Sequence, residues 1–275
     1  MIRELSGPAR QAAAGGRLLP LWAMQGLPAG VRVFASGEAV AVACPALARR
    51  DRLVVCGPAG EAVPLVAHAL AEVGPSYRPM AVEPLVRELA ARIPGLEFSA
   101  AFVWMDSAGP GGVTGIPAAP RAAAAPAPDP LVPPLPAARP VPAGEHRPAG
   151  WLRERDAEPV AALLAEANPG SYAVPGLPGV RRWSGVRDGD RRLLAVGADA
   201  WSAPPVGFIA GVATRPGHRG RGHGTAVCRF LVETLRAEHG RVALMVDQWN
   251  ATAIALYARL GLHPVTVAAA RVSGH

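Results

Sequence analysis

The sequence predicts a mixed α/β fold of the α+β kind. A mostly antiparallel sheet flanked by helices forms the C-terminal half, and a second α/β domain precedes it. Three observations carry this. A glycine-rich stretch, Val212-Ala213-Thr214-Arg215-Pro216-Gly217-His218-Arg219-Gly220-Arg221-Gly222-His223-Gly224, joins an apolar run to an amphipathic helical pattern. The elements before it form a hairpin around Asp188-Gly189-Asp190, not a series of strand–helix–strand units. A Pro- and Ala-rich segment from Gly109 to Gly150 divides the chain.

In the N-terminal domain (1–108), Arg32 to Phe34, Ala39 to Ala43 and Leu53 to Cys56 read as strands. Glu61 to Val73 reads as a helix, with Pro64 tolerable only near its first turn. Val82 to Ile93 is a second helical pattern. Leu96 to Met105 returns to strand, with Phe98, Phe102 and Trp104 as packing residues. The segment 109–150 removes backbone donors at each proline and offers little side chain to pack, which describes a semi-extended linker.

The C-terminal domain (151–275) opens with a short strand at Trp151 to Arg153. A helix follows from Asp156 to about Ala167, stopped by Asn168-Pro169-Gly170. The hairpin pairs Val180 to Val186 with Leu193 to Ala200. Val206 to Thr214 is an apolar strand running into the glycines. From His223 to Glu238, Val227, Phe230, Leu231 and Leu235 share one helical face. Val242 to Val246 is a buried strand, Asn250 begins a helix that Gly261 ends, and Val265 to Ala270 is the last strand.

Half of the 275 residues are hydrophobic, enough for a substantial core. The net charge of +7 comes with no lysine at all and two asparagines, a skew that reflects coding bias as readily as an acidic partner. No basic run is interleaved with aromatics, so no nucleic-acid partner is expected. Cys44, Cys56 and Cys228 are widely spaced and form no metal-ligand pattern, so no metal is expected. No segment has the length of a membrane span or the apolar core of a secretory signal, so the expectation is a soluble cytoplasmic protein without a membrane partner.

Strand, glycine turn and helix in succession make an anion cradle. Backbone amides and the positive end of the helix dipole converge there, and glycines admit a phosphate closely. A nucleotide P-loop is excluded, because it needs a lysine. A dinucleotide fingerprint would use Gly220, Gly222 and Gly224 with Asp247, but demands a doubly wound sheet.

Arg219-x-x-Gly222-x-Gly224 after an apolar strand resembles the acyl-CoA-binding motif of the GNAT acetyltransferase superfamily. The resemblance continues in Asn250, Ala253, Leu256-Tyr257 and Leu260-Gly261, and covers about 151–270. It implies a GNAT-like sheet, acetyl-CoA as cosubstrate, and transfer of the acetyl group to a primary amine by direct attack in a ternary complex. Backbone groups of Val212 and Thr214 would hold the pantetheine arm. The amides of Arg219, Gly220, Arg221, Gly222, His223 and Gly224, with Thr225, would hold the pyrophosphate. Asn250 would contact the cofactor arm or brace the strands, or serve only as a helix cap. Tyr257 would be the general acid, or a packing residue. His218, His223, Arg215 and Arg221 are either functional or a solvated rim.

Many members carry a glutamate where Met245 stands, so the base is not evident here. Asp247 and Asp199 are candidates. The missing base motivates a second reading, a non-catalytic CoA-binding sensor or partner-binding protein. Tyr172, Trp183 and Trp201 either line an acceptor site or belong to the core. The acceptor is a small-molecule or peptide amine, and oligomeric state is open. The turn Gly57-Pro58-Ala59-Gly60 after a strand faintly echoes the C-terminal arrangement, so the N-terminal domain is either a degenerate copy of it or an unrelated module, without a second cofactor.

Overall fold

The computed structural model describes residues 1–107 and 148–275. The expected linker lies almost entirely outside them. The N-terminal half contains β1 (Arg3–Glu4), α1 (Pro8–Ala12), α2 (Leu18–Met24), β2 (Arg32–Ser36), β3 (Ala39–Leu47), β4 (Arg50–Cys56), α3 (Ala59–Val73), β5 (Arg78–Val82), α4 (Glu83–Arg92) and β6 (Leu96–Asp106). The C-terminal half contains β7 (Gly150–Trp151), α5 (Ala157–Ala167), β8 (Val180–Arg187), β9 (Leu193–Ala200), β10 (Gly207–Thr214), α6 (His223–His239), β11 (Val242–Asp247), α7 (Ala251–Arg259) and β12 (His263–Val272).

The twelve strands of the described residues join one sheet, in the order β1-β2-β3-β4-β5-β12-β6-β11-β10-β9-β8-β7. Neighbours are antiparallel except β4 with β5 and β10 with β11. Each parallel pair needs a crossover, supplied by α3 and α6. The halves repeat one succession of elements, but their last strands are exchanged. β12 lies between β5 and β6, and β6 lies between β12 and β11. The register runs through Val82, Val267, Phe102 and Asp247 across four strands from both halves.

One face of the sheet carries α2 and α5 over a core with Trp22, Trp104, Leu163 and Phe208. The other face carries α3 and α4 over one core, and α6 and α7 over another. Val227, Leu231 and Leu235, spaced four apart, are fully buried on α6, which is the expected helical stripe. Trp22 stacks on Phe208 with ring centroids 4.7 Å apart, tying α2 to the opposite half of the chain.

Four elements went unread in the sequence: β1, α1, α2 and β5. α2 has seven residues with Pro20 among them, too few for a helical period to show. β5 has five residues and carries Pro79, which argues against a strand on sequence alone.

The crossovers differ at the point that matters. Eight residues, 215–222, separate β10 from α6, but only Gly57 and Pro58 separate β4 from α3. The short turn is forced tight: Gly57 sits at φ +117°, and a Cβ there would lie 2.5 Å from Ala39 Cα. The Glu61 carboxylate, in the first turn of α3, accepts from the Glu38 and Ala39 amides at 2.7 and 3.2 Å.

Candidate functional site

β10 and β11 pair only from Gly207↔Val242 to Ile209↔Leu244. Beyond Ile209 the two strands separate, and, among the described residues, 210–214 have no partner strand on that edge. A bulge accompanies the separation. Against β9 the register slips by one residue between Ala210 and Ala213, and Gly211 adopts φ +63°. A Cβ at Gly211 would lie 2.6 Å from the Trp183 ring. The extra residue turns Val212 toward the α6 core and Ala213 toward the opposite face. A glycine inside an apolar strand is the signal that could have predicted this bulge.

The loop that follows is a cradle of unused donors. Gly220 and Gly222 take φ +74° and +83°, the left-handed region that favours glycine, and Gly222 is the N-cap of α6. Among the described residues, the amides of Gly220, Arg221, Gly222, Gly224 and Thr225 donate no hydrogen bond. Such a group of orphan N–H donors at a helix start suits a diphosphate. His223, in the same turn, is buried. At Gly224 a Cβ would stand 2.9 Å from Thr214 Oγ1, so the glycine lets α6 sit against the end of β10.

Arg219 is placed differently from the expectation. Its amide donates to the Pro216 carbonyl at 3.3 Å, closing a one-turn helix, so the run of free amides begins one residue later. Its guanidinium donates to the carbonyls of Thr214 and Ala167 at 3.3 and 3.1 Å, bracing the loop on α5. Arg215 likewise pairs with Glu166 and donates to the Leu193 carbonyl. Arg221 is exposed and has no ion pair among the described residues.

Asn250 caps α7: its Oδ1 accepts from the Ala253 amide at 3.1 Å. Tyr257 is buried among the side chains of α6 and α7, and its phenol interacts with the Cys228 thiol. Burial, reinforced by that thiol, pushes the phenol well above its ordinary value and keeps it protonated. Desolvation pushes the Cys228 thiol up to about 12.

The candidate bases are separated. Asp247 is exposed at the open end of β11. Asp199 pairs in register with Ile209, below the opening, and is fully buried with Arg182 at 3.1 Å and Ser202 at 2.5 Å. Asp199 faces the far end of α6, near Glu238 and His239. Trp183 and Trp201 are core residues, whereas Tyr172 is half exposed. The sequence reading passed over Trp249, which is 81% exposed beside the opening.

A splayed parallel pair with a free strand edge, ending in a ring of unsatisfied amides, defines a protein class that suits an extended ligand with an anionic group partway along. A family model, acetyltransferase (GNAT) family, matches residues 124–262, about half of the chain. The chain belongs to the GNAT acetyltransferase family. Among solved structures it is similar to a GCN5-related N-acetyltransferase from Kribbella flavida, with 21% identity, 98% of each chain covered and a TM-score of 0.54. It is also similar to a GCN5-related N-acetyltransferase from Sphaerobacter thermophilus, with 17% identity, 98% of this chain and 95% of that chain covered, and a TM-score of 0.54. These identities establish the shared fold. No curated protein matches the chain.

Proposed function

We propose that the protein is an acetyl-CoA-dependent N-acetyltransferase that transfers an acetyl group to a primary amine by direct attack in a ternary complex. The observation carrying this is the set of amides of Gly220, Arg221, Gly222, Gly224 and Thr225, which donate no hydrogen bond among the described residues, beside the edge of β10 that β11 leaves beyond Ile209. Acetyl-CoA supplies the activated thioester. The backbone edge at Val212 and Thr214 holds the pantetheine arm as an added strand. The amides of Gly220, Arg221, Gly222, His223, Gly224 and Thr225 hold the pyrophosphate, with the exposed Arg221 guanidinium adding charge at the rim. Arg219 acts by fixing the loop. Asn250 sets the start of α7 and so the height of Tyr257.

Tyr257 is the proton donor to the departing sulfur. A phenol kept neutral by burial still holds the proton to give, and the same dry surroundings raise the basicity of the departing thiolate that takes it. No carboxylate lies on β10, and the one on β11 is Asp247 at its open end, so the amine loses its proton to Asp247 or to solvent there.

In this reading residues 151–275 are the catalytic domain. Residues 1–108 are a degenerate second copy, joined through 109–150. The repeated succession of elements supports the copy, and the two-residue turn with its inward Glu61 supports the loss of its cofactor site. The acceptor is a small-molecule or peptide amine.

One observation favours the non-catalytic sensor: the Tyr257 phenol is occupied by Cys228. Calorimetry with acetyl-CoA, together with thiol release over an amine panel, separates the two. Micromolar binding with thiol release supports the enzyme. Binding without release supports the sensor, and no binding at millimolar acetyl-CoA ends both.

A further inference from the structure

One end of the sheet, where β4, β5 and β12 lie side by side, is crowded with arginine. Arg50 and Arg52 are on β4, Arg78 begins β5, and Arg271 is near the end of β12. Arg52 and Arg78 stand opposite each other in register. Arg49 precedes Arg50 in the β3–β4 turn. Like charges facing each other across a sheet repel, so this end of the molecule favours an anion.

A cavity of about 430 Å³ opens here, within the size range of small-molecule sites. Four of its lining side chains are arginines, Arg49, Arg50, Arg78 and Arg271, and one is a carboxylate, Asp51. Asp51 balances at most one of them, and both of its oxygens are committed. They accept from the Ala46 amide at 2.9 Å and the Ser76 hydroxyl at 2.8 Å, clamping the β3–β4 turn to the loop between α3 and β5. Arg49, Arg50 and Arg78 make no ion pair or side-chain hydrogen bond among the described residues. Arg271 pairs with Glu97 at 3.3 Å, but both side chains are half exposed, and an incoming anion can replace so weak a pair. The excess charge is felt by buried Arg52: burial pushes its guanidinium down to about 10, and Arg50 and Arg78 act in the same direction.

We propose that this cavity binds a small anion carrying two or more phosphate groups, held by Arg49, Arg50, Arg78 and Arg271. Guanidinium and phosphate oxygens match in two-pronged hydrogen bonds. Arginines drawn from three strands that together span about 10 Å suit charge spread along a ligand better than one phosphate. No Phe, Tyr or Trp lines the cavity to stack a base, so the phosphates carry the recognition. The cavity shares no residue with the Gly220–Thr225 cradle, and β6 and β11 stand between β12 and β10 in the sheet.

The test is calorimetry on the full chain in excess acetyl-CoA and about 0.15 M salt, where long-range attraction between exposed charges is largely screened. Sodium tripolyphosphate should bind at least tenfold tighter than inorganic phosphate and raise the thermal midpoint. Arg50→Gln/Arg78→Gln should weaken tripolyphosphate tenfold or more, abolish the rise in midpoint and leave acetyl-CoA affinity unchanged. Arg49→Gln, at an exposed turn position, should weaken it in the same direction and serves if the double variant does not fold. Arg155→Gln/Arg181→Gln removes the same charge from exposed positions elsewhere and should change nothing. Adenosine triphosphate binding tenfold tighter than tripolyphosphate identifies a nucleotide as the occupant, and equal binding identifies a bare polyphosphate; both uphold the site. Tripolyphosphate binding no tighter than phosphate overturns the proposal. So does an equal loss in Arg155→Gln/Arg181→Gln, which would reduce the effect to net charge. Binding that survives in Arg50→Gln/Arg78→Gln but is lost in Gly222→Ala also overturns it, by placing the anion in the cradle.

Discussion

Gly224, in the first turn of α6, and Thr214, at the end of β10, approach so closely that a methyl on the glycine would stand 2.9 Å from the threonine hydroxyl. This contact holds the helix start, with its free amides, beside the strand edge. Gly224→Ala gains about 1 kcal/mol of helix propensity and loses a comparable amount to the contact. The thermal midpoint should therefore change little, while acetyl-CoA affinity falls tenfold or more as α6 is displaced. Thr214→Ala in the same chain removes the obstructing oxygen and should restore most of that affinity. A double-mutant cycle by calorimetry checks it, and additive effects would show the contact to be irrelevant.

Gly222→Ala tests the cradle itself. The residue sits at φ +83°, where an L side chain is strained by about 1 kcal/mol or more. The chain answers either by holding the strain, which lowers the midpoint by a few degrees, or by turning the peptide and withdrawing amides from the site. In both cases acetyl-CoA binding weakens at least tenfold. A variant that binds as the parent does would remove the pyrophosphate assignment.

Much of this was legible in the sequence, because each legible part had a local cause. The α6 stripe, the Asn250 cap and the two left-handed glycines follow from spacing and backbone freedom at those positions. The exchange of β6 and β12 could not be read, since each strand's pattern says only that it is buried, not beside what. The motif position of Arg219 was legible, but the carbonyl partners of its guanidinium, Thr214 and the distant Ala167, were not.

Tyr257→Phe removes one hydroxyl from a packed site and nothing else. Its contact with Cys228 is a weak one, so the thermal midpoint should move little. Acetyl-CoA binding should be unchanged. Turnover should drop by about 10²-fold or more if the phenol protonates the leaving thiolate. Steady-state thiol release measures this, and full activity in the variant would return Tyr257 to the core as a packing residue.

Alkaline pH should unfold the protein early. The Cys44 and Cys228 thiols are both pushed up to about 12 by burial, and Cys56 and Tyr257 are raised by the same cause. Above the ordinary thiol value of 9.0 the unfolded chain releases these protons and the folded chain keeps them. The unfolded state then binds fewer protons, so stability is full below pH 9 and declines as pH rises. At pH 10 the two thiols alone contribute a loss of about 3 kcal/mol. Arg52 acts in the opposite direction, but only above about 10. Urea midpoints from pH 7 to 10.5 should fall steadily, and Cys228→Ala should flatten the decline. A flat profile in the parent would mean the thiols reach solvent.

The exchanged strands make the two halves one folding unit. β6 hydrogen-bonds β11 from Ala243↔Asp106 to Asp247↔Phe102, and β12 from His263↔Asp106 to Val272↔Leu96. Removing either half therefore strips a strand from the middle of the other's sheet and exposes apolar surface on both faces. Each fragment alone has an unpaired inner edge, which favours aggregation over folding. A chain cut at a protease site placed between residues 108 and 147 keeps every one of these pairings. The cut protein should elute as one particle of the parent size, bind acetyl-CoA as before, and separate only in denaturant. The two fragments made apart should each be insoluble, and should recover binding only when refolded together. A C-terminal fragment, 148–275, that is soluble and binds acetyl-CoA by itself would show that β6 is dispensable to the cradle and that the exchange adds only a surface between two independent folds.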